Sequence, residues 1–437
     1  MTPTPFPTPR ALLDDLYAAA TAAVAPGVAL AQRLDRLSLD SDRRIHVLAL
    51  GKAAAPMALA ALDRLQRDGQ EPAGGLVVGP APGRTPHPQL TCVRGDHPEP
   101  GSGSSKAASA LADAASRVRR DDEVWVLLSG GTTSLIGAPE PGIAPQELST
   151  LYRLLLGSGL DITAMNQVRK RFSRWGAGKL ARALAPARVR LYIVSDVIGD
   201  DLASIGSGPC VPDPTKAADV RGLLERSRLW NQIPESFRAL ITSTQAGRMP
   251  ETPKPGDPVF ARVTTEIVAS NKLALEAAAM RAAELGLNPT VIEPPIAGEA
   301  SEVGRQLAGK LRECAGATCL IWGGETTVTL GAQSTGLGGR CQELALAAAE
   351  VLADTKTRAA LLAAGTDGRD GPTDAAGAIV DRETWPAIVA AGRDPARDLA
   401  AHDAYHALDA VGALLRPGLT GTNVMDIVVG LCGEERT

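Results

Sequence analysis

A lysine and an arginine, each beside glycine at the edge of an apolar run, are the residues in this chain best suited by type and spacing to do chemistry. Lys52 follows His46-Val-Leu-Ala-Leu50 and Gly51, and Arg340 closes the loop Gly336-Leu-Gly-Gly-Arg340. Loops of small hydroxyl residues and carboxylates accompany them: Ser129-Gly-Gly-Thr-Thr-Ser134, Ser195-Asp-Val-Ile-Gly-Asp-Asp201 and Gly365-Thr-Asp-Gly-Arg-Asp370. Phosphoryl transfer needs such parts, because its transition state spreads negative charge over the phosphoryl oxygens, where fixed cations and a carboxylate-held metal stabilise it. Asp196, Asp200, Asp201, Glu325, Asp367 and Asp370 are the candidate acids, bases or metal holders. The same aspartates equally suit turns, in which the carboxylate bonds its own backbone.

These residues sit where strands end and helices begin. Trp322 to Leu330 carries a buried-strand pattern, the glycine loop follows, and Cys341 to Ala349 reads as an apolar helix. Unpaired N–H groups at such a helix start, together with the helix dipole, make Gly338 and Gly339 candidate phosphate binders. The run His46 to Leu50 is a strand that turns at Gly51-Lys52 into the helix former Ala53 to Ala60, and Glu123 to Leu128 is a buried strand that delivers Ser129, Gly130, Gly131 and Ser134 at its carboxyl end. Open α/β sheets bind ligands at such ends. Ile162 to Trp175 has apolar residues at helical spacing, with Asn166, Arg169, Lys170 and Arg171 pointing elsewhere, as on a solvated face. Arg190 to Val194 is a further strand leading to Asp196. His97, in Gly95-Asp-His-Pro98, reads as a structural histidine in a proline turn or as an acid or base.

The alternation of strands and helices runs through the whole chain and predicts two α/β domains. Met249-Pro-Glu-Thr-Pro-Lys-Pro-Gly-Asp-Pro258 is its densest proline and glycine stretch, so the domains are expected at 1–250 and 259–437, the last residues packing back on the first domain. At 437 residues, two cores are the natural division. A net charge of −4 argues against a nucleic-acid binder, since that affinity rests on excess Lys and Arg. Six scattered cysteines without C-x-x-C spacing read as reduced thiols. The proline-rich start is unlike a signal peptide and no apolar run reaches spanning length, so a cytoplasmic protein without membrane contact is expected. Neither the G-x-x-x-x-G-K-[ST] loop nor a first-strand G-x-G-x-x-G occurs, which lowers the odds of a nicotinamide enzyme.

Taken in order, Gly51-Lys-Ala-Ala, Gly95-Asp-His-Pro, Ser129-Gly-Gly, Asn166-Gln-Val-Arg-Lys, Ser195-Asp-Val-Ile-Gly-Asp-Asp-Leu, Gly323-Gly-Glu-Thr-Thr-Val-Thr, Gly336-Leu-Gly-Gly-Arg, Gly365-Thr-Asp-Gly-Arg-Asp-Gly-Pro-Thr-Asp and Thr420-Gly-Thr-Asn423 resemble the class II glycerate 2-kinases from about residue 45 to 432. The resemblance implies a Rossmann-like N-terminal domain with a parallel sheet, a smaller mixed α/β module after it, and a deep cleft between the two. It implies phosphorylation of D-glycerate to 2-phosphoglycerate with ATP and Mg²⁺, with Lys52 and Arg340 as the catalytic cations. Asn166, Arg169 or Ser134 then orients the substrate carboxylate, and Asn423 belongs to a further polar loop of the site. A small hydroxy acid is the expected partner, and a homo-oligomer is compatible with it. Two alternatives stay open: a hydroxypyruvate reductase using NAD(P)H, and a non-catalytic binder of small phosphorylated acids. Thr132, Thr133, Cys341 and Met425 depart from the family pattern and bear on substrate detail.

Overall fold

The computed structural model describes residues 8–314, 318–331, 336–355 and 358–433, whose strands form two six-stranded sheets. The chain divides into two compact units: one is Pro26–Val268, and the other takes in the chain up to Ala25 and again from Ala269 onward.

In the Pro26–Val268 unit the strands are β1 (Ile45–Leu50), β2 (Gly74–Gly79), β3 (Leu90–Arg94), β4 (Glu123–Leu128), β5 (Arg188–Val194) and β6 (Val263–Ala269), in the order β3-β2-β1-β4-β5-β6. Every registered pair from β3 to β5 is parallel. Strands covered on both faces need apolar residues on both, and all six residues of β1 and of β4 are buried. Their polar members are paired: His46 Nε2 lies 2.8 Å from Asp122, and Glu123 accepts from Trp125 Nε1 at 2.9 Å and Arg190 Nε at 2.7 Å. The order reverses between β1 and β4, the switch point at which doubly wound sheets bind ligands.

Four helices, Pro145–Leu156, Ile162–Phe172, Ala217–Arg226 and Glu235–Gln245, make a second core in this unit, with Phe172 and Phe237 rings 4.5 Å apart. The proline-rich stretch expected as a linker packs against them instead. Glu251 pairs with Arg171 and accepts from Ala217 N at 2.9 Å, while Thr252 donates to Asp213 at 2.8 Å. Proline density marked irregular backbone there, not a stretch without contacts, and the division of the chain comes at Val268.

The other unit contains β7 (Asn288–Val291), β8 (Thr318–Gly324), β9 (Arg358–Gly365), β10 (Gly377–Asp381), β11 (Leu414–Leu415) and β12 (Asp426–Gly433), ordered β11-β10-β9-β12-β8-β7. Of the strand pairs among the described residues β7–β8 is parallel and the other four are antiparallel, so the sheet is mixed. Helices Ala300–Glu313 and Arg340–Leu352 share one core with Trp322, Leu361, Ala363 and Val428. The helix Pro9–Ala23 belongs to this unit too. It packs on the helix Asn271–Glu284, Asp15 pairs with Arg281 at 2.8 Å, and Tyr17 donates to the Gly365 carbonyl at 2.8 Å. The domain expectation is thereby corrected at both ends: the beginning of the chain completes the second unit, and β12, near the end of the chain, pairs with β8 and β9 inside that unit's sheet.

Candidate functional site

Because β1, β4 and β5 are adjacent and parallel, their carboxyl ends bring Lys52, Ser129 to Ser134 and Asp196 to one rim. The turn after β1 is held from β4: Lys52 N donates to Gly130 O at 2.9 Å, and Ala53 N donates to Ser129 Oγ at 3.0 Å. Thr132, fully buried, donates to Leu50 O at 2.9 Å. Ser129 and Thr132 therefore fix the backbone that carries Lys52. Gly51 has φ +124°, and a Cβ there would stand 2.2 Å from Ser129 Oγ. The Lys52 side chain is exposed, passes over Gly131, and among the described residues has no ion-pair partner.

Two titratable groups border the same loop. Asp196 packs so tightly on Gly130 that a Cβ would meet its Oδ2 at 2.0 Å, and burial raises its carboxyl above the ordinary range while Lys52 pulls it down. His97 Nδ1 lies 2.8 Å from Ser134 Oγ; burial first, and then the Lys52 charge, lowers its pKa below 6.5. His97, Ser134, Gly130, Gly131 and Asp196 line a cavity of about 420 Å³, shared with Thr133, Tyr152 and Arg169. This falls within the usual range for small-molecule sites, ~300–1,000 Å³.

The helix Ile162–Phe172 corrects the reading of its basic residues as a solvated face. Lys170 and Arg171 are buried and spent on ion pairs, with Asp213 at 3.0 Å and with Glu251. Asn166 is half-buried on the same helix but is not among the residues lining the cavity.

In the other unit, antiparallel pairing builds the rim. Asp426, first in β12, stands opposite Gly324 at the end of β8 and Gly365 at the end of β9, so Asp426, Glu325 and Asp367 gather at one edge. Arg340, first in its helix, donates to both Asp426 oxygens at 2.5 and 2.8 Å, and its Nη1 lies 3.1 Å from Glu325. Burial works against the charged guanidinium, and the Asp426 bonds more than offset it. Arg340 is thus not the isolated cation that the sequence suggested. Asp426 was missed although it opens an apolar run, a position where a carboxylate must have a partner. The helix start is also less open than expected: Gln342 N donates to Asp370 Oδ2 at 2.8 Å, and a Cβ at Gly339 would stand 2.2 Å from the Asp370 carboxyl. Gly339 makes room for this cap, and Gly338 precedes it in the same loop. Burial raises the Asp370 carboxyl to about 7.

Several other candidates are occupied by turns. Asp201 accepts from Ser204 Oγ at 2.5 Å and Ala203 N at 3.2 Å, Asp367 accepts from Arg369 N at 3.0 Å, and Asn423 accepts from Met425 N at 3.2 Å. Asp200 is half-buried with φ 55°. Burial raises the Cys341 thiol well above its ordinary value, which keeps it protonated. No cluster of three or more metal-ligating side chains occurs among the described residues.

Residues 12–242 match the family model described as Domain of unknown function (DUF4147), and residues 318–426 match that of the MOFRL family. A glycerate 2-kinase of Pyrococcus horikoshii is 37% identical over 400 residues, covering 90% of this chain and 88% of that protein. A putative hydroxypyruvate reductase of Agrobacterium vitis is 38% identical, covering 97% of this chain and 94% of the other. The crystal structure of a glycerate kinase of Thermotoga maritima has a TM-score of 0.88 to this fold at 35% identity, over 96% of this chain and 98% of that one.

Proposed function

The chain belongs to the class II glycerate kinase family and is a kinase, and on that premise we propose that it transfers the γ-phosphoryl group of ATP to the 2-hydroxyl of D-glycerate. The observation that carries the reading is Lys52: an exposed ammonium with no ion-pair partner among the described residues, on a turn whose backbone is held from β4 at the switch point between β1 and β4. Such a charge, not closed into an ion pair, can stabilise a phosphoryl group. Arg340 is the second cation. Its fork is oriented by Asp426, and an anionic oxygen would have to displace Glu325 from its remaining edge. His97 shares a cavity with Asp196 beside Lys52 and is the candidate to take the proton of the acceptor hydroxyl. A neutral imidazole hydrogen-bonded to Ser134 suits that role.

Asp196 would hold Mg²⁺ with the nucleotide phosphates, and Asp367 and Asp201 remain candidates only if they release their turns. Bound there, the ion would neutralise charge on the phosphates. Ser134 or Arg169 is left to orient the substrate carboxylate.

ADP release coupled to NADH oxidation, with D-glycerate as acceptor, tests the activity. Direct conversion of the product by enolase, without a mutase, identifies 2-phosphoglycerate. No ADP release with D-glycerate would overturn the reading. The relative named as a hydroxypyruvate reductase supplies the second arm: NAD(P)H loss with hydroxypyruvate and no ATP would favour that chemistry instead.

A further inference from the structure

Three consecutive basic residues on the helix Ile162–Phe172 have different fates. Lys170 and Arg171 are closed into ion pairs inside the unit. Arg169, half-buried beside them, has no carboxylate, carbonyl or hydroxyl partner among the described residues, and its Nε is buried without a hydrogen bond. Its guanidinium lies over the Tyr152 ring, 5.0 Å from the centroid, and it lines the cavity that also holds His97, Ser134 and Asp196. Leaving a buried donor unpaired costs about 1–3 kcal/mol, more when it is charged, so an unpaired half-buried guanidinium in a cavity calls for an external acceptor. A guanidinium over an aromatic face is held there by cation–π attraction, and its planar fork suits two-point recognition of a carboxylate.

The competing candidates are less free. Ser134 Oγ is engaged with His97 Nδ1 at 2.8 Å and with Gly131 O at 3.1 Å, and Asn166 is not among the lining residues. Tyr152 OH is buried without a partner under the same guanidinium, and burial pushes its pKa up to about 12, so it stays a neutral donor.

Resting on the kinase reading, we infer that Arg169, stacked on Tyr152, binds the carboxylate of the acceptor and restricts the enzyme to hydroxy acids with a free carboxylate. Polyols and esters of the same acids are rejected because they leave the guanidinium without a charged acceptor. Arg169 is a binding and specificity residue; the phosphoryl group is left to Lys52.

The test uses the full chain and its Arg169→Ala, Arg169→Lys and Tyr152→Phe variants, each checked for folding by circular dichroism and thermal melting. Calorimetry with D-glycerate should give a Kd about 30-fold or more higher for Arg169→Ala, as for loss of a buried charge partner, with ADP affinity unchanged. Arg169→Lys should recover only part of the loss, since an ammonium lacks the fork. In turnover, the preference for glycerate over its methyl ester and glycerol should collapse in Arg169→Ala. Glycerate affinity within about threefold of wild type in a folded Arg169→Ala, or equal losses for acid and ester, would overturn the inference while leaving the kinase activity standing. Arg169-dependent glycerate binding without ADP release would instead support the inference and sink the kinase reading.

Discussion

Lys52 and Arg340 carry the same formal charge in opposite surroundings. One has no ion-pair partner among the described residues, and the other is clasped by Asp426 and approached by Glu325. Lys52→Ala should lower kcat by on the order of a hundredfold or more with the fold intact, because transition-state charge stabilisation is lost. Arg340→Ala should do the same, and steady-state kinetics with melting curves check both. If Asp426 acts through Arg340, the Arg340→Ala/Asp426→Ala double variant should be about as slow as Arg340→Ala alone; additive losses would separate the two roles. Asp370 adds a pH signature. Its carboxyl stands near 7 in the folded protein against 3.8 ordinarily, raised by burial and, less, by Asp426. The folded state therefore binds the extra proton between those values, and this group's stabilising contribution is complete at low pH and lost as pH rises through the window. Asp370→Asn keeps an acceptor for Gln342 N but cannot ionise. Its stability relative to wild type should rise between about pH 5 and pH 8 in urea titrations, and a constant difference would show that Asp370 does not titrate there.

At the scale of elements, turns after strands decide where these side chains stand. Gly51 combines a positive φ with Ser129 Oγ where a Cβ would go, so Gly51→Ala should cost more than about 1 kcal/mol and displace Lys52, lowering both Tm and kcat. A variant with normal Tm and kcat would mean that the turn tolerates a side chain. The parallel elements were legible in sequence because buried strands are near-continuous apolar runs, and β4 falls on the segment expected from it. β10 and the short helices after it were not, because elements of five to seven residues are too short for a periodic pattern to declare itself. The basic helix was legible as a helix, yet its pairings with Asp213 and Glu251 depend on residues about 40 and 80 positions away, which helical periodicity does not report.

For the whole molecule, the helix Pro9–Ala23 is part of a unit whose remaining chain begins at Ala269. Leu16 is fully buried in it, so Leu16→Ala should cost about 2–5 kcal/mol. Hydrogen exchange should then lose protection in residues 269–433 more than in 26–268. Equal losses would mean that the two units open together. By itself the sequence determined what local pattern can encode: α/β alternation, the strand ends bearing Lys52, Ser129 and Asp196, and the ordered motifs that resemble one kinase family. Tertiary structure alone decided that the first helix joins the second unit, that Asp426 claims Arg340, that Asp370 caps the helix expected to bind phosphate, and that Arg169 has no hydrogen-bond partner among the described residues beside two paired neighbours. Each of those outcomes is a question of which charges and donors find partners. Burial requires that every such group be matched across the fold, and no local window of sequence contains both partners.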